Sequence, residues 1–327
     1  LSETPQLVKF VSEDQVLAMI RASFGDQTEI TCCHPILGGQ YNTLYDIETQ
    51  NPDHHVVLRI APSSDLPLRR YERTMMLAEP HMYDLLRNAG VPTGKILSTD
   101  GSRTIIDRDY LIMDFIEAVP VNHPSVPEDV RPHIMRKAGE YTKVMHSIMA
   151  DKFGWITPDG SVRGSTSWAE AFGELMVETY TNCQDTGIIT GDQADMALEC
   201  YWKNRDIFDE CKIPSFVHND LWAPNIMVRE KDEEWQIEAI IDADRSLFAD
   251  REFEFAIWEN GDKNLLSGYG IPPDKSPNAM LRKRFYSMQL YMQYSWFYLV
   301  LMSDPGFQAT AKKIALDILQ ELTGNNS

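Results

Sequence analysis

The sequence predicts an α+β chain in two lobes, a small antiparallel-sheet lobe followed by a larger, mainly helical one. Three observations carry this. Its 327 residues exceed what one hydrophobic core usually organises. Between Ile30 and Ile116, runs rich in β-branched and aromatic residues alternate with turn residues, the pattern of paired hairpins. Beyond Val119, apolar residues recur at intervals of three and four, which is the helical period.

The elements follow in order. "SEDQ" opens a short amphipathic helix, with Ser12 and Gln15 at capping-box spacing. "EITCCHPILGGQYNTLYDIETQ" and "HHVVLRIAP" read as strands, joined through "NPDHH" as a hairpin connection. A helix is expected over roughly Arg69 to Asn88, and then "GKILSTDGSRTIIDRDYLIMDFI" as a second strand pair with an Asp-Gly turn. In "VPEDVRPHIMRKAGEYTKVMHSIMA", Pro and acids come early and bases later, as the helix dipole prefers. Phe285, Met288, Met292, Trp296 and Leu299 form a helical stripe that reads as core, and "QATAKKIALDILQEL" closes the chain as another helix. No internal repeat is present. The expected division is 1–117, with a hinge near 114–118, and 118–327.

Composition narrows the function. A net charge of −19 argues against a nucleic-acid surface, which needs clustered Lys and Arg. It suits a cationic small-molecule partner, and equally a solvated protein surface. Five cysteines, with no C-x-x-C pair, indicate neither a disulfide framework nor a zinc site. The longest apolar run, "WFYLVLM" from Trp296, is too short to span a bilayer, and "LSETPQ" carries no targeting signal; a cytoplasmic location without a membrane partner is expected.

The chemistry concentrates in "FVHNDLWAPNIMV" and "IEAIIDAD". Phosphoryl transfer needs a carboxylate to orient the attacking hydroxyl and accept its proton, and oxygen ligands to hold Mg²⁺ on the phosphates. Asp220 fits the first role; Asn225 and Asp242 fit the second. His218 reads as a residue that shapes the loop, since Mg²⁺ prefers hard oxygen ligands. Gly38 and Gly39 could cover phosphates closely, but a plain hairpin turn is the simpler reading of that pair alone. Arg59, a cation within the apolar strand "VVLRI", calls for an anionic partner, either phosphate or Glu79 on the next helix, unless it snorkels from an edge.

Taken together, these segments resemble the aminoglycoside phosphotransferase and choline kinase superfamily, in family order and over nearly the full length. "GGQYNTLYDIET" resembles its glycine loop, "VVLRI" its nucleotide-contacting strand and Glu79 its paired helix acid. "YLIMDFIEAVPV" resembles its hinge, "AGEYTKVMHSI" its helix ending in Leu-His, and "IIDADRSLFADREFEFA" its metal-binding Asp with the trailing acidic motif. "FGWITPDGSVRGSTSWAEAF" is similar to a Gly-rich segment of hygromycin B kinase-like members. The resemblance implies the bilobal protein-kinase-like fold and a small-molecule O-kinase using ATP and Mg²⁺, with GTP open as donor. It assigns Asp220 as base or hydroxyl-orienting group, with Asn225 and Asp242 on the metal. Gly38, Gly39, Gln40 and Asn42 would line the triphosphate, with Arg59 and Glu79 beside it. Asp114, Phe115 and Ile116 would hold adenine through backbone groups. Trp222 and Asp244 would face the acceptor, Glu254 and Glu259 join Asp244 as candidate ammonium contacts, and Asp250 would structure the trailing loop.

Three departures stand out. Arg59 replaces the frequent Lys. Pro80 follows Glu79 and predicts a kink that threatens the pair with Arg59. Asn219 replaces the frequent Gly, at a place where left-handed backbone is expected. A eukaryotic protein kinase fits less well, because "HND" replaces H-R-D and neither D-F-G nor A-P-E follows. The acceptor class therefore stays open among aminoglycoside-like, amino-alcohol and sugar hydroxyls, and a nucleotide-binding protein without turnover is the alternative.

Overall fold

The computed structural model describes residues 7–37, 41–256 and 262–324. Gly38, Gly39, Gln40 and Glu259 lie outside the described residues. The chain divides into two compact units. The first comprises Leu1–Val126, Thr157–Ser161 and Trp222–Asp244; the second comprises Pro127–Ile156, Val162–Leu221 and Arg245–Ser327.

In the first unit, helix α1 (Glu13–Phe24) starts at the predicted capping box, with Ser12 and Gln15 bonded reciprocally. Strands β1 (Glu29–Ile36), β2 (Thr43–Gln50) and β3 (His54–Ile60) pair antiparallel in sequence order. Helix α2 (Met75–Asn88) precedes β4 (Ile96–Asp100) and β5 (Tyr110–Asp114), and β5 inserts beside β3 to give the order β1-β2-β3-β5-β4. Alternation on β2 turns Thr43, Tyr45, Ile47 and Thr49 inward, and Val56, Leu58 and Ile60 of β3 join Val16, Met19 and Ile20 of α1 in one apolar core.

Two boundaries differ from expectation. The predicted helix from Arg69 starts only at Met75, because Glu72 turns back to accept from the Arg69 amide at 2.8 Å and pairs with its side chain at 2.5 Å. The Asp-Gly turn opens a longer loop: Asp100 accepts from the Ser102 amide, and pairing resumes only at Tyr110.

Beyond β6 (Val119–Pro120), the second unit supplies α3 (Arg131–Ser147), β7 (Phe153–Ile156), β8 (Val162–Ser165), α4 (Trp168–Asp185), α5 (Gly191–Asn204) and β9 (Ser215–Val217). The hairpin β10 (Ile226–Lys231) and β11 (Glu234–Ile240) returns to the first unit, where β10 also pairs with β6. Strand β12 (Leu247–Ala249) and helices α6 (Lys263–Tyr269), α7 (Pro277–Val300) and α8 (Pro305–Thr323) complete the second unit. Helices dominate it, but β8-β7-β12-β9 form a small antiparallel sheet that the sequence did not announce.

Phe285, Met288, Met292 and Trp296 of α7 are buried, as the stripe requires, whereas Leu299 at its end is only half-buried. Tyr286 lies among Trp168, Phe172, Phe208 and Phe253. Helices α3 and α6 approach through glycines: a Cβ on Gly139 would lie 2.0 Å from the Leu265 carbonyl oxygen, and one on Gly268 1.8 Å from that of Arg136. Among the described residues, no helix is long and apolar enough to cross a membrane.

Candidate active site

The first unit gathers one cation and several carboxylates. Arg59 is fully engulfed on β3, and its Nη1 lies 2.7 Å from Glu79 Oε2 on α2. Its Nη2 reaches Asp242 Oδ1 at 3.2 Å and Asp244 Oδ2 at 3.5 Å. Burial alone would lower the guanidinium's affinity for its proton, but Glu79 and then Asp242 hold it above the ordinary value, so Arg59 is a cation. Burial pushes the Glu79 carboxyl up, with Arg59 opposing. The 2.7 Å contact to a permanent cation marks Glu79 as the ionised partner. Pro80 is accommodated within continuous helix, so the expected disruption of this pair does not occur.

Asn225 and Asp242 flank the open end of the β10–β11 hairpin. The Ile241 amide donates to the Asn225 carbonyl at 3.0 Å, one register step beyond the Ile226–Ile240 pair. Asn225 is buried, whereas the Asp242 side chain keeps 46% of its exposure. Asp242 has φ +61°, and its amide donates to the Tyr83 hydroxyl at 3.2 Å. The turn thus aims a carboxylate outward from a buried strand end. Tyr83, one helical turn beyond Glu79, is buried beside the same groups; the i, i+4 spacing was the available signal for it. A carboxylate and an amide offer hard oxygen donors, the chemistry that Mg²⁺ requires. Among the described residues, no cluster of three or more His, Cys, Asp or Glu side chains could hold a metal ion.

Asn42 is buried at the start of β2, and its Oδ1 has no hydrogen-bond partner among the described residues. At the expected hinge, the Asp114 amide donates to the Lys95 carbonyl and the Phe115 amide to that of His55, both at 3.0 Å. Those two donors are therefore engaged, while the Ile116 amide takes part in none of the described hydrogen bonds. The Phe115 and His55 rings stack at 3.8 Å.

In the second unit, β9 delivers His218, Asn219 and Asp220. His218 is fully buried, and its carbonyl accepts from Ser246 Oγ at 3.4 Å. Asn219 has φ +61°, the left-handed backbone expected at this position, and its Nδ2 donates to the Arg245 carbonyl at 3.3 Å. Asp220 follows, half-buried. Asp250 is buried at the start of the turn Arg251–Phe255, where it accepts from the Glu252 amide at 3.2 Å and from Tyr286 Oη at 2.7 Å.

Two assignments change. Glu254, expected to contact an ammonium group, is buried and accepts from the His218 amide at 2.7 Å and the Asn219 amide at 3.0 Å. A carboxylate committed in this way to backbone faces no ligand. Asp244, expected to face the acceptor, is likewise buried, with its carboxylate beside Arg59. Trp222 is half exposed, the accessibility an acceptor contact needs.

The fold is that of the protein-kinase-like enzymes. Its similarity to solved structures is broad. Aminoglycoside phosphotransferase APH(4)-Ia superposes with TM-score 0.68 at 15% identity, over 94% of this chain and 99% of the other. A protein described provisionally as a fructosamine-3-kinase from Haemophilus somnus 129PT gives 0.67 at 20% identity, over 93% and 96%. The kanamycin and GDP complex of APH(2")-IIIa gives 0.62 at 13%, over 95% and 99%. No curated protein matches. Residues 33–263, more than half of the chain, match the model of the phosphotransferase enzyme family, and the chain belongs to that family. It is a small-molecule phosphotransferase.

Proposed function

We propose that this enzyme transfers the terminal phosphoryl group of ATP, with Mg²⁺, to a hydroxyl of a small amine-bearing molecule. The observation that carries this reading is that the Ile241–Asn225 backbone bond brings Asn225 and Asp242 to one hairpin end, with Asp242 beside the Arg59–Glu79 pair. Solved structures of similar fold are complexes with ADP and hygromycin B, with AMP-PNP and hygromycin B, and with GDP and kanamycin. Those ligands belong to those proteins; they support a nucleotide donor here and leave GTP as a competing one.

In this reading the stretch 1–117 binds nucleotide, with a hinge near 114–118, and 118–327 carries the catalytic loop and the acceptor. Asn225 and Asp242 hold the metal, which when bound offsets charge on the phosphates. Arg59 steadies that charge, with Glu79 orienting its guanidinium. Gly38, Gly39, Gln40 and Asn42 line the phosphates; Asp114, Phe115 and Ile116 hold the base, with the Ile116 amide as donor. Asp220 orients the acceptor hydroxyl and takes its proton as the new O–P bond forms and the bond to the nucleoside diphosphate breaks. Trp222 packs against the acceptor.

Transfer of labelled phosphate from ATP, measured across aminoglycosides, amino alcohols and sugars, tests this. Label on one acceptor, lost about 100-fold or more in Asp220→Asn, is the expected result. Nucleotide binding with no transfer to any acceptor would favour a silent nucleotide-binding protein.

A further inference from the structure

Two stripes run along the later turns of α7. One, from Phe285 to Trp296, lies in the core. The other consists of Tyr291, Tyr294 and Tyr298, three and four residues apart and so on one face, all half-buried. Their rings meet edge to face in series, Tyr291 with Tyr294 and Tyr294 with Tyr298, each at 6.4 Å. Phe307 of α8 extends the row, with its ring 4.1 Å from that of Tyr298. The face is uncharged: Phe285 to Val300 contains no Asp, Glu, Lys, Arg or His.

This row stands beside the loop that carries Asp220. Asn219 Nδ2 donates to the Arg245 carbonyl at 3.3 Å, and the Arg245 guanidinium lies 5.5 Å from the centre of the Phe297 ring, which packs on Tyr298 at 5.5 Å. The Tyr294 hydroxyl is near enough to respond to the charges of the same loop. Burial pushes it up to about 12, with Arg245 opposing and Asp220 adding, so it stays a neutral phenol at neutral pH. It takes part in none of the described hydrogen bonds, which leaves it both a donor and an acceptor for a ligand.

The charge of this wall discriminates between acceptors. A molecule with several ammonium groups needs several carboxylates, but Glu254 is committed to two backbone amides and Arg245 is itself a cation. Tyrosine faces and edges instead suit a flat apolar ring. We infer that Tyr294 and Tyr298 are specificity-determining residues that hold a flat ring of the acceptor beside Asp220, so that the enzyme prefers a ring-bearing alcohol with at most one ammonium group to a polycation. This rests on the reading of Asp220 as the group that orients the acceptor hydroxyl. The ring packs along the row, and the Tyr294 hydroxyl supplies one directional hydrogen bond to an oxygen of the acceptor.

The test compares phenylethanolamine, ethanolamine and kanamycin with the full chain, by labelled transfer from ATP and, separately, by calorimetric binding. Wild type should bind and phosphorylate phenylethanolamine with about tenfold or greater preference over ethanolamine, and kanamycin less well than either. In Tyr294→Leu and in Tyr298→Leu, that preference for the ring should fall about five- to tenfold, with KM for nucleotide within about twofold. Tyr294→Phe keeps the ring and should lower the preference only about threefold, through the lost hydrogen bond.

Equal use of phenylethanolamine and ethanolamine overturns the inference, as does a preference for kanamycin. So does a ring preference that survives in both leucine variants. Should Tyr294→Leu fail to fold, Tyr298→Leu and Tyr294→Phe decide the matter by the same ratio. If the wild type transfers phosphate to nothing, the phosphotransfer reading falls, while calorimetry alone still decides whether the row holds a ring: binding of none of the three compounds overturns it.

Discussion

Arg59 and Glu79 form a buried ion pair at 2.7 Å, with Glu79 completely inaccessible to water. Pro80 removes one helical hydrogen bond of α2 without moving this carboxylate away. Removing Glu79 leaves Arg59 beside Asp242 at 3.2 Å and Asp244 at 3.5 Å, whereas removing Arg59 strands the Glu79 charge in a dry interior. Arg59→Met is therefore expected to cost about 3–5 kcal/mol, measured by urea unfolding, and Glu79→Ala less than that.

Asp242 separates a backbone effect from a chemical one. At φ +61°, asparagine is tolerated, whereas alanine carries a left-handed strain of about 1–2 kcal/mol. Asp242→Ala should unfold at lower denaturant than Asp242→Asn by about that amount. Both variants should lose Mg²⁺-dependent nucleotide binding, read by calorimetry with and without the metal.

Glu254 predicts a pH dependence. Burial pushes its carboxyl up, but hydrogen bonding and charge from His146, with His218 adding, carry it below the ordinary 4.5. A folded-state value below the unfolded one stabilises fully above that ordinary value and is lost as pH falls through the lower one. Urea midpoints of the wild type should thus drop more steeply below pH 4.5 than those of Glu254→Gln. Parallel curves for the two proteins would contradict this.

Tyr286 accepts from Trp168 Nε1 and donates to Asp250 Oδ2, both at 2.7 Å, inside the aromatic core. Tyr286→Phe keeps the ring and leaves an indole N–H and a carboxylate each short of a partner. The expected loss is about 2–4 kcal/mol in chemical denaturation. A Trp168→Phe, Tyr286→Phe pair should cost less than the sum of the single changes.

Much of this was legible in the sequence for identifiable physical reasons. Strands β1 to β3 run seven or eight residues, long enough for their β-branched and aromatic content to stand out between turn residues, and β2 also alternates. Asp220, Asn225 and Asp242 stood out because polar groups interrupt apolar runs. The sheet β8-β7-β12-β9 has strands of three or four residues, too short for a period, and draws them from 153 to 249. The return of 222–244 to the first unit is decided by pairing β10 with β6, a contact between distant segments. Glu254 was misjudged for a related reason: its composition is that of a surface acid, and only the tertiary fold reveals which amides occupy its oxygens.

The glycines at 139 and 268 have a consequence for the second unit. Each lets a helix backbone rest on a carbonyl of the other helix, Gly139 against Leu265 and Gly268 against Arg136. Two such contacts act as a vernier, fixing both the spacing and the rotational phase of α3 against α6. His146 rides on one helix and Tyr269 on the other, with Nδ1 2.8 Å from the hydroxyl. The absence of two methyl groups thus sets the length of a hydrogen bond between side chains that neither glycine touches.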